Sequence, residues 1–243
     1  MKIFLFIKYL VVSALILTII LFPIVIYMLK FKSESYVGNI LKEKTIRYPQ
    51  LVELINLDEP GDFKYFYTMP GDSISIKVVS VNTKQPDVDV TKWLENIMQV
   101  SVNKTVTVTL EEISYEKDGF LTDSDMDEIR KRAISSGKSD LNLVYTGSYS
   151  EKPTSVGLVN HRDTIFMFAD ALDGLTNKGY VRNVLEKTTI MHEWGHLLGL
   201  EHINNQNCIM DEMVEVYDTQ PVEKPLPIKY CYEELHVMQE LKN

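Results

Sequence analysis

The residues between His192 and His202 have the types and the spacing of a catalytic metal site. In one-letter code the stretch reads HEWGHLLGLEH. On a helix, His192 and His196 lie four residues apart and leave the same face, so their two imidazoles can hold one zinc ion. Gly199 can take the left-handed conformation that ends a helix, and the reversed chain would then bring His202 back as a third ligand.

Glu193 follows the first of these histidines and would reach a water molecule at the metal, where it would act as general base. Three protein ligands leave one coordination position open, which is typical of a catalytic rather than a structural zinc site. Three of the five histidines of the chain fall within this one stretch. A chance arrangement is therefore a poor explanation of the pattern.

The segment resembles the metzincin signature, HExxHxxGxxH followed by a methionine turn. Among the metzincins it resembles the archaemetzincins, whose pattern continues with Cys, then Cys-x-Met, and then Cys-x-x-Cys. Cys208-Ile209-Met210 fits the Cys-x-Met, and Cys231 fits the last cysteine. The resemblance implies that Met210, with Met213 as the alternative, packs below the metal without binding it.

The family's second, structural zinc site is incomplete in this sequence. Ile203 and Ile228 occupy two of its four cysteine positions, so the resemblance implies one catalytic zinc ion only. In the family the four sulfurs converge on one metal, and the resemblance therefore brings Cys208 and Cys231 close together. They would form a disulfide in an oxidising compartment, and two free, partly buried thiols are the alternative.

The composition limits the classes of partner. The chain has 243 residues and a formal net charge of −9, and its pI is near 5.1. This length allows one sizeable domain plus an anchor. The acidic balance, without a basic stripe or a phosphate-binding glycine loop, argues against nucleic acid as a partner.

An apolar run without a charge extends from Tyr9 to Leu29 and is long enough to span a bilayer. A cleaved signal peptide is the alternative, but the segment Lys30–Ser33 is a poor cleavage site. We therefore expect residues 1–32 to form a transmembrane signal anchor, in which Pro23 is tolerable. The larger number of basic residues after the run favours a cytoplasmic catalytic domain. The short basic amino terminus favours the opposite orientation, as a disulfide would, and we expect a single-pass protein with an extracytoplasmic catalytic domain.

Residues 33–72 are expected to form a stalk or a prosegment. Amphipathic helices are predicted between Tyr36 and Leu57, with a break near Pro49. The segment contains no cysteine, which excludes a thiol-based latency switch on the metal. Asp62 is a carboxylate that could block the metal instead.

The catalytic domain is expected at residues 73–243. Apolar alternation and short apolar runs predict strands at 74–81, 105–113, 141–145, 155–160 and 164–168. Helices are predicted at about 89–100, 122–137, 180–198 and 230–241, and Thr122 with Asp125 forms an approximate capping box at the start of the second. An irregular connection is predicted at 219–227. Together with the resemblance, these elements predict an α+β, zincin-like fold with a twisted mixed sheet, an active-site helix, a methionine turn and a C-terminal helix. The resemblance also implies that strand 155–160 is an antiparallel edge strand, which pairs with extended substrate.

These features predict a membrane-anchored zinc metallopeptidase that hydrolyses peptide bonds in a peptide or protein substrate. The resemblance to archaemetzincins makes an aminopeptidase-type exopeptidase one alternative. A non-catalytic, zinc-containing, membrane-tethered binding module is the other. The intact Glu193 and the open coordination position argue against the binding module.

Overall fold

The structure is a computed structural model that describes residues 2–83, 86, 88–102, 104–117, 119–205, 207–211 and 226–242. The chain divides into two compact units, Met1–Leu57 and Asp58–Asn243. The alternative methionine, Met213, lies outside the described residues, as does most of the predicted connection at 219–227.

The first unit consists of three helices. They are α1 (Lys2–Phe31), α2 (Tyr36–Thr45) and α3 (Pro49–Ile55). Helix α1 contains the predicted apolar run, and its span Tyr9–Phe31 is long and apolar enough to cross a membrane, a property that a signal sequence near an amino terminus would share. Ser35 caps α2 by accepting a hydrogen bond from the amide of Gly38. The break predicted near Pro49 is confirmed, because proline occupies the first position of α3.

The second unit is built on a five-stranded mixed sheet with the order β2-β1-β4-β7-β6. Its strands are β1 (Ser73–Val81), β2 (Thr105–Ile113), β4 (Leu141–Thr146), β6 (Gly157–His161) and β7 (Thr164–Phe168). Strands β1, β2, β4 and β7 run parallel, whereas β6 pairs antiparallel with β7. The five strands predicted from apolar patterning are therefore confirmed, and β6 is the antiparallel strand at one edge.

Helices cover both faces of this sheet. They are α5 (Val88–Val102), α6 (Asp123–Ser135), α7 (Ala169–Leu175), α8 (Gly179–Leu197) and, at the carboxyl end, α9 (Tyr232–Glu240). Leu158 of β6 packs against the core cluster that contains Met126 and Ile129 of α6, whereas its neighbour Gly157 faces α8. Because successive strand residues point to opposite faces, α6 and α8 lie on opposite sides of the sheet. Strands β4 and β7 are buried along their whole length for this reason.

The capping signal predicted for α6 is confirmed. The Asp125 carboxylate accepts the amide of Thr122 at 2.7 Å, and the Thr122 hydroxyl accepts the amide of Asp125 at 3.4 Å. This reciprocal pair satisfies two amide groups at the start of the helix. It fixes the point at which the chain turns onto the sheet.

Some elements are too short for apolar patterning to predict. Strands β3 (Phe120–Leu121) and β5 (Ser148–Tyr149) form a separate two-stranded sheet. Helix α4 (Lys64–Thr68) precedes β1, and α7 lies in the connection between β7 and α8. None of these elements contains enough residues to show a period.

Residues 58–72 pack with the sheet domain that the sequence predicted to begin at Ser73. Tyr67 of α4 is fully buried, and its ring lies 4.9 Å from that of Trp194 in α8. The Tyr67 hydroxyl lies 3.1 and 3.0 Å from the carbonyl oxygens of Asp140 and Arg162. The compact unit accordingly begins at Asp58.

Candidate metal centre

The carboxyl end of α8 presents the first two histidines and then reverses the chain. Gly199 has a φ of 77°, in the left-handed region that glycine adopts without strain. Its amide donates to the carbonyl of His196 at 2.9 Å, and the amide of Leu200 donates to that of Gly195 at 2.9 Å. These bonds satisfy carbonyl groups at the helix end and direct the chain towards His202.

The three histidines meet at their Nε2 atoms. Nε2 of His192 lies 3.1 Å from Nε2 of His202 and 3.2 Å from Nε2 of His196. Tetrahedral zinc with bonds of 2.0–2.1 Å to each nitrogen requires neighbouring ligands ~3.3 Å apart. Among the described residues, the cluster of metal-ligating atoms at this point consists of these three histidines and contains no carboxylate.

Two backbone carbonyl groups set the tautomer of the first two histidines of this cluster. Nδ1 of His192 lies 2.7 Å from the carbonyl oxygen of Ile209, and Nδ1 of His196 lies 3.1 Å from that of Leu200. A carbonyl oxygen only accepts, so each Nδ1 carries the hydrogen and each Nε2 keeps its lone pair for a metal. The residues therefore fit a zinc ion by both spacing and protonation.

Burial around the cluster leaves one open side. His192 is fully buried and Glu193 is 2% exposed, whereas His196 is half-buried and His202 is exposed. The site is thus closed towards the core and open towards solvent beside the second and third histidines. A substrate would enter from that side.

Met210 packs against α8, the helix that carries His192 and His196. It is fully buried, and its Sδ occupies the space into which any side chain at Gly195 would extend. The carbonyl of Met210 accepts the amide of Ile203 at 2.8 Å, which joins the methionine segment to the residue after His202. Met210 therefore lies close to the histidines, as the resemblance implies.

Glu234 anchors the same segment and was not singled out in the sequence. Its buried carboxylate accepts the amide of Met210 at 2.6 Å through Oε1 and the amide of Cys231 at 2.6 Å through Oε2. The second bond is a capping interaction at the start of α9. Glu234 lies three residues after Cys231, the residue that caps α9, and a glutamate at that spacing near a helix start is the signal that could have identified it.

Cys208 and Cys231 are joined as a disulfide in the structure, with their Cα atoms 5.0 Å apart. The bond links the methionine segment to the start of α9, next to Glu234. Tyr230 adds a second link, because its hydroxyl donates to the carbonyl of Met191 in α8 at 2.6 Å. Burial raises the pKa of Tyr230 well above its ordinary value, so it remains a neutral donor.

His161 of β6 lies between two carboxylates, away from the histidine cluster. Its Nδ1 is 3.0 Å from Asp58 and its Nε2 is 2.9 Å from Asp127. Arg130 contacts the same Asp58 carboxylate at 2.9 Å. Burial alone would raise the pKa of Asp58, but the hydrogen bond from His161 and the charge of Arg130 lower it below its ordinary value. These contacts hold β6 to α6 and to the start of the second unit.

Asp62, the carboxylate considered as a block on the metal, is not part of the histidine cluster. It is buried, and its Oδ2 accepts the amide of Glu59 at 2.9 Å. This bond closes the turn in which Gly61, with a φ of 80°, packs against the Cα of Gly199. The turn therefore lies against the glycine that ends α8.

Comparisons with known proteins bear on the family and the fold. The Matrixin family model (peptidase M10) matches residues 182–226, which include the three histidines. The fold is similar to the crystal structure of archaemetzincin from Methanopyrus kandleri, with a TM-score of 0.53 and 14% sequence identity. The match covers 70% of this chain and 96% of the archaemetzincin chain. Archaemetzincin from Archaeoglobus fulgidus, solved in complex with malonate, gives a TM-score of 0.47 and 17% identity over 68% of this chain and 99% of that chain. No curated protein matches the chain.

The fold expected from the sequence is confirmed by the similarity to the Methanopyrus kandleri protein. The family-model match covers the metal-binding motif independently of that likeness. Together they support a metzincin-like chain with an archaemetzincin-like fold. At 14% identity the structural likeness concerns the fold alone.

Proposed function

We propose that this metzincin-like chain is a zinc metallopeptidase anchored to a membrane by α1. The observation that carries the proposal is the meeting of three histidine Nε2 atoms, two of which are freed for metal by carbonyl groups at Nδ1. Glu193 follows the first of these ligands on the same helix. Three ligands with one open side and an adjacent carboxylate match the chemistry of metal-assisted hydrolysis.

In this proposal His192, His196 and His202 hold the zinc ion. When bound, zinc supplies Lewis-acid chemistry, polarising the scissile carbonyl and lowering the pKa of a water molecule to ~7. Glu193 accepts a proton from the attacking water and passes it to the leaving amine. Met210 packs against α8 and supports the histidine cluster. The buried core around His192 and Glu193 keeps bulk water from that side of the reacting groups.

The substrate in this proposal is a peptide or protein segment in extended form. Strand β6 is the last strand of the five-stranded sheet, and its first residue lies beside Glu193. An extended segment paired with such an edge strand gains backbone hydrogen bonds regardless of its sequence. Pairing here would bring a peptide bond near the carboxylate.

We also propose that α1 anchors the protein and that the second unit is extracytoplasmic. The apolar span Tyr9–Phe31 supports the anchor. The disulfide supports an oxidising compartment, because thiols are kept reduced in the cytosol. Of the predicted division into 1–32, 33–72 and 73–243, we retain the anchor and propose that the catalytic unit begins at Asp58, because Tyr67 is buried against α8.

The test uses the full chain purified in detergent. Metal analysis is expected to give one zinc ion per chain, and a peptide library is expected to be cleaved. A chelator should abolish cleavage, and added zinc should restore it. Peptides with free and blocked amino termini then distinguish an endopeptidase from an aminopeptidase-type exopeptidase. Zinc retained without turnover of any peptide would overturn the proposal in favour of a non-catalytic binding module.

A further inference from the structure

Gly157, the first residue of β6, is in direct contact with the proposed general base. A Cβ atom placed on Gly157 would lie 2.7 Å from Oε1 and 3.0 Å from Cγ of Glu193. It would also lie 2.5 Å from Cγ2 of Thr189, which precedes Glu193 by one helical turn. Atoms at these separations overlap, so even alanine cannot enter this position without moving a neighbour.

Space, and not backbone conformation, requires glycine here. The glycines with a positive φ are Gly61, Gly119 and Gly199 among the described residues, and Gly157 is not one of them. Gly157 is buried and pairs with Met167 in ordinary antiparallel register. Any L-residue could adopt its backbone angles, and only the neighbouring side chains exclude one.

The strand that carries Gly157 is held in place by contacts on several sides. The carbonyl of Gly157 accepts the buried hydroxyl of Ser155 at 2.7 Å, and the pairing with Met167 fixes the strand to β7. Leu158 packs into the core on the opposite face. A side chain at Gly157 would therefore press against Glu193 and Thr189 from a strand that is fixed in place.

We propose that Gly157 is a positioning residue for catalysis, whose missing side chain sets the place of the Glu193 carboxylate against the substrate-binding edge strand. The inference rests on the proposed function, because it assumes that Glu193 is the base and that substrate pairs with β6. The contact fixes the distance between the base and a peptide bond held on that strand. A displacement of about 1 Å in such a geometry lowers turnover by up to about 100-fold.

The kinetic test separates the overlap with Glu193 from the overlap with Thr189. In the full chain, Thr189→Ala removes the Cγ2 methyl group and is expected to leave turnover unchanged. Adding Gly157→Ala to it leaves the overlap with Glu193. We expect kcat to fall by about 10- to 100-fold, with KM within about threefold and zinc content unchanged. Gly174→Ala is the matched control, since a Cβ there meets no atom within 4 Å.

A thermal unfolding cycle tests the contact without using activity. With Thr189→Ala present throughout, Gly157→Ala is expected to lower the Tm strongly when Glu193 is intact. It is expected to lower the Tm clearly less when Glu193 is also replaced by alanine, because the overlapping Oε1 and Cγ atoms are then absent. Equal losses of Tm in the two backgrounds, or full turnover by the Gly157→Ala/Thr189→Ala chain, would overturn the inference. If the wild-type chain itself cleaved nothing, the proposed function would fail, and the unfolding cycle would still decide whether Gly157 positions Glu193.

Discussion

Gly195 is the point at which the metal-binding helix touches the methionine segment. It lies between Trp194, buried against Tyr67, and His196, a proposed zinc ligand. Met210 Sδ fills the space beside it. A hydrogen is therefore the largest group that fits between this helical turn and the methionine.

The first prediction concerns this contact. Gly195→Ala should force Met210 or the helix to move, with a loss of about 1–3 kcal/mol in the free energy of unfolding, as is typical of overpacked cores. Zinc affinity should fall with it, because the next residue is the proposed ligand His196. Denaturant unfolding and chelator competition measure the two effects.

Gly174→Ala is the control, because its Cβ would meet open space and alanine favours a helix. Its free energy of unfolding is expected to be unchanged or slightly higher than that of the wild type. A Gly195→Ala chain with wild-type stability and zinc affinity would contradict the role assigned to this contact.

At the scale of elements, α9 supports the metal centre although it contributes no ligand. Its first turn holds the Met210 amide through Glu234, and the disulfide joins Cys231, just before the helix, to Cys208. The cysteines are 23 residues apart in sequence. A bond across such a loop removes freedom from the unfolded chain and stabilises the folded one by about 3 kcal/mol.

The second prediction follows from that loop. Replacing both cysteines with serine should lower the free energy of unfolding by about 3 kcal/mol, and reductant should have the same effect on the wild type. Reductant should leave the double variant unchanged, which is the control. A wild-type chain whose unfolding is insensitive to reductant would contradict the structural role of the bond.

Predictions from sequence succeeded where an element repeats a pattern over several residues. Strand β7 was recognised from an uninterrupted apolar run and α6 from its capping residues. Helix α4 and the β3–β5 pair lack such a period, and their stability comes from tertiary contacts such as that of Tyr67 with Trp194. The histidines could be identified because their spacing is local, whereas Gly157 and Glu234 act through partners far along the chain.

At the scale of the whole molecule, the second unit begins at Asp58, further towards the amino terminus than its sequence motifs suggest. Phe63 and Tyr67 are buried. Phe66 supplies the carbonyl that accepts the buried ammonium group of Lys104 at 2.7 Å. Residues 58–72 thus complete the core of the domain, and a removable prosegment that included them would expose Trp194.

The third prediction concerns that boundary. A chain of residues 58–243 should unfold cooperatively, whereas a chain of residues 73–243 should be strongly destabilised. Removing a fully buried aromatic side chain such as Tyr67 alone costs about 3–5 kcal/mol. Calorimetry of the two truncated chains measures the difference. Equal Tm values would show that residues 58–72 are dispensable and would favour the boundary at Ser73.

The proposed hydrolysis depends most on Glu193 acting as a base beside a zinc ion held by three histidines. The most direct measurement compares zinc content and peptide cleavage in the full wild-type chain and in Glu193→Gln. Glu233→Gln, the same change at an exposed position of α9, is the matched control. We predict that all three chains bind one zinc ion and that turnover falls by at least about 100-fold in Glu193→Gln alone. Turnover near the wild-type level in that variant, or none in the wild type, would contradict the account.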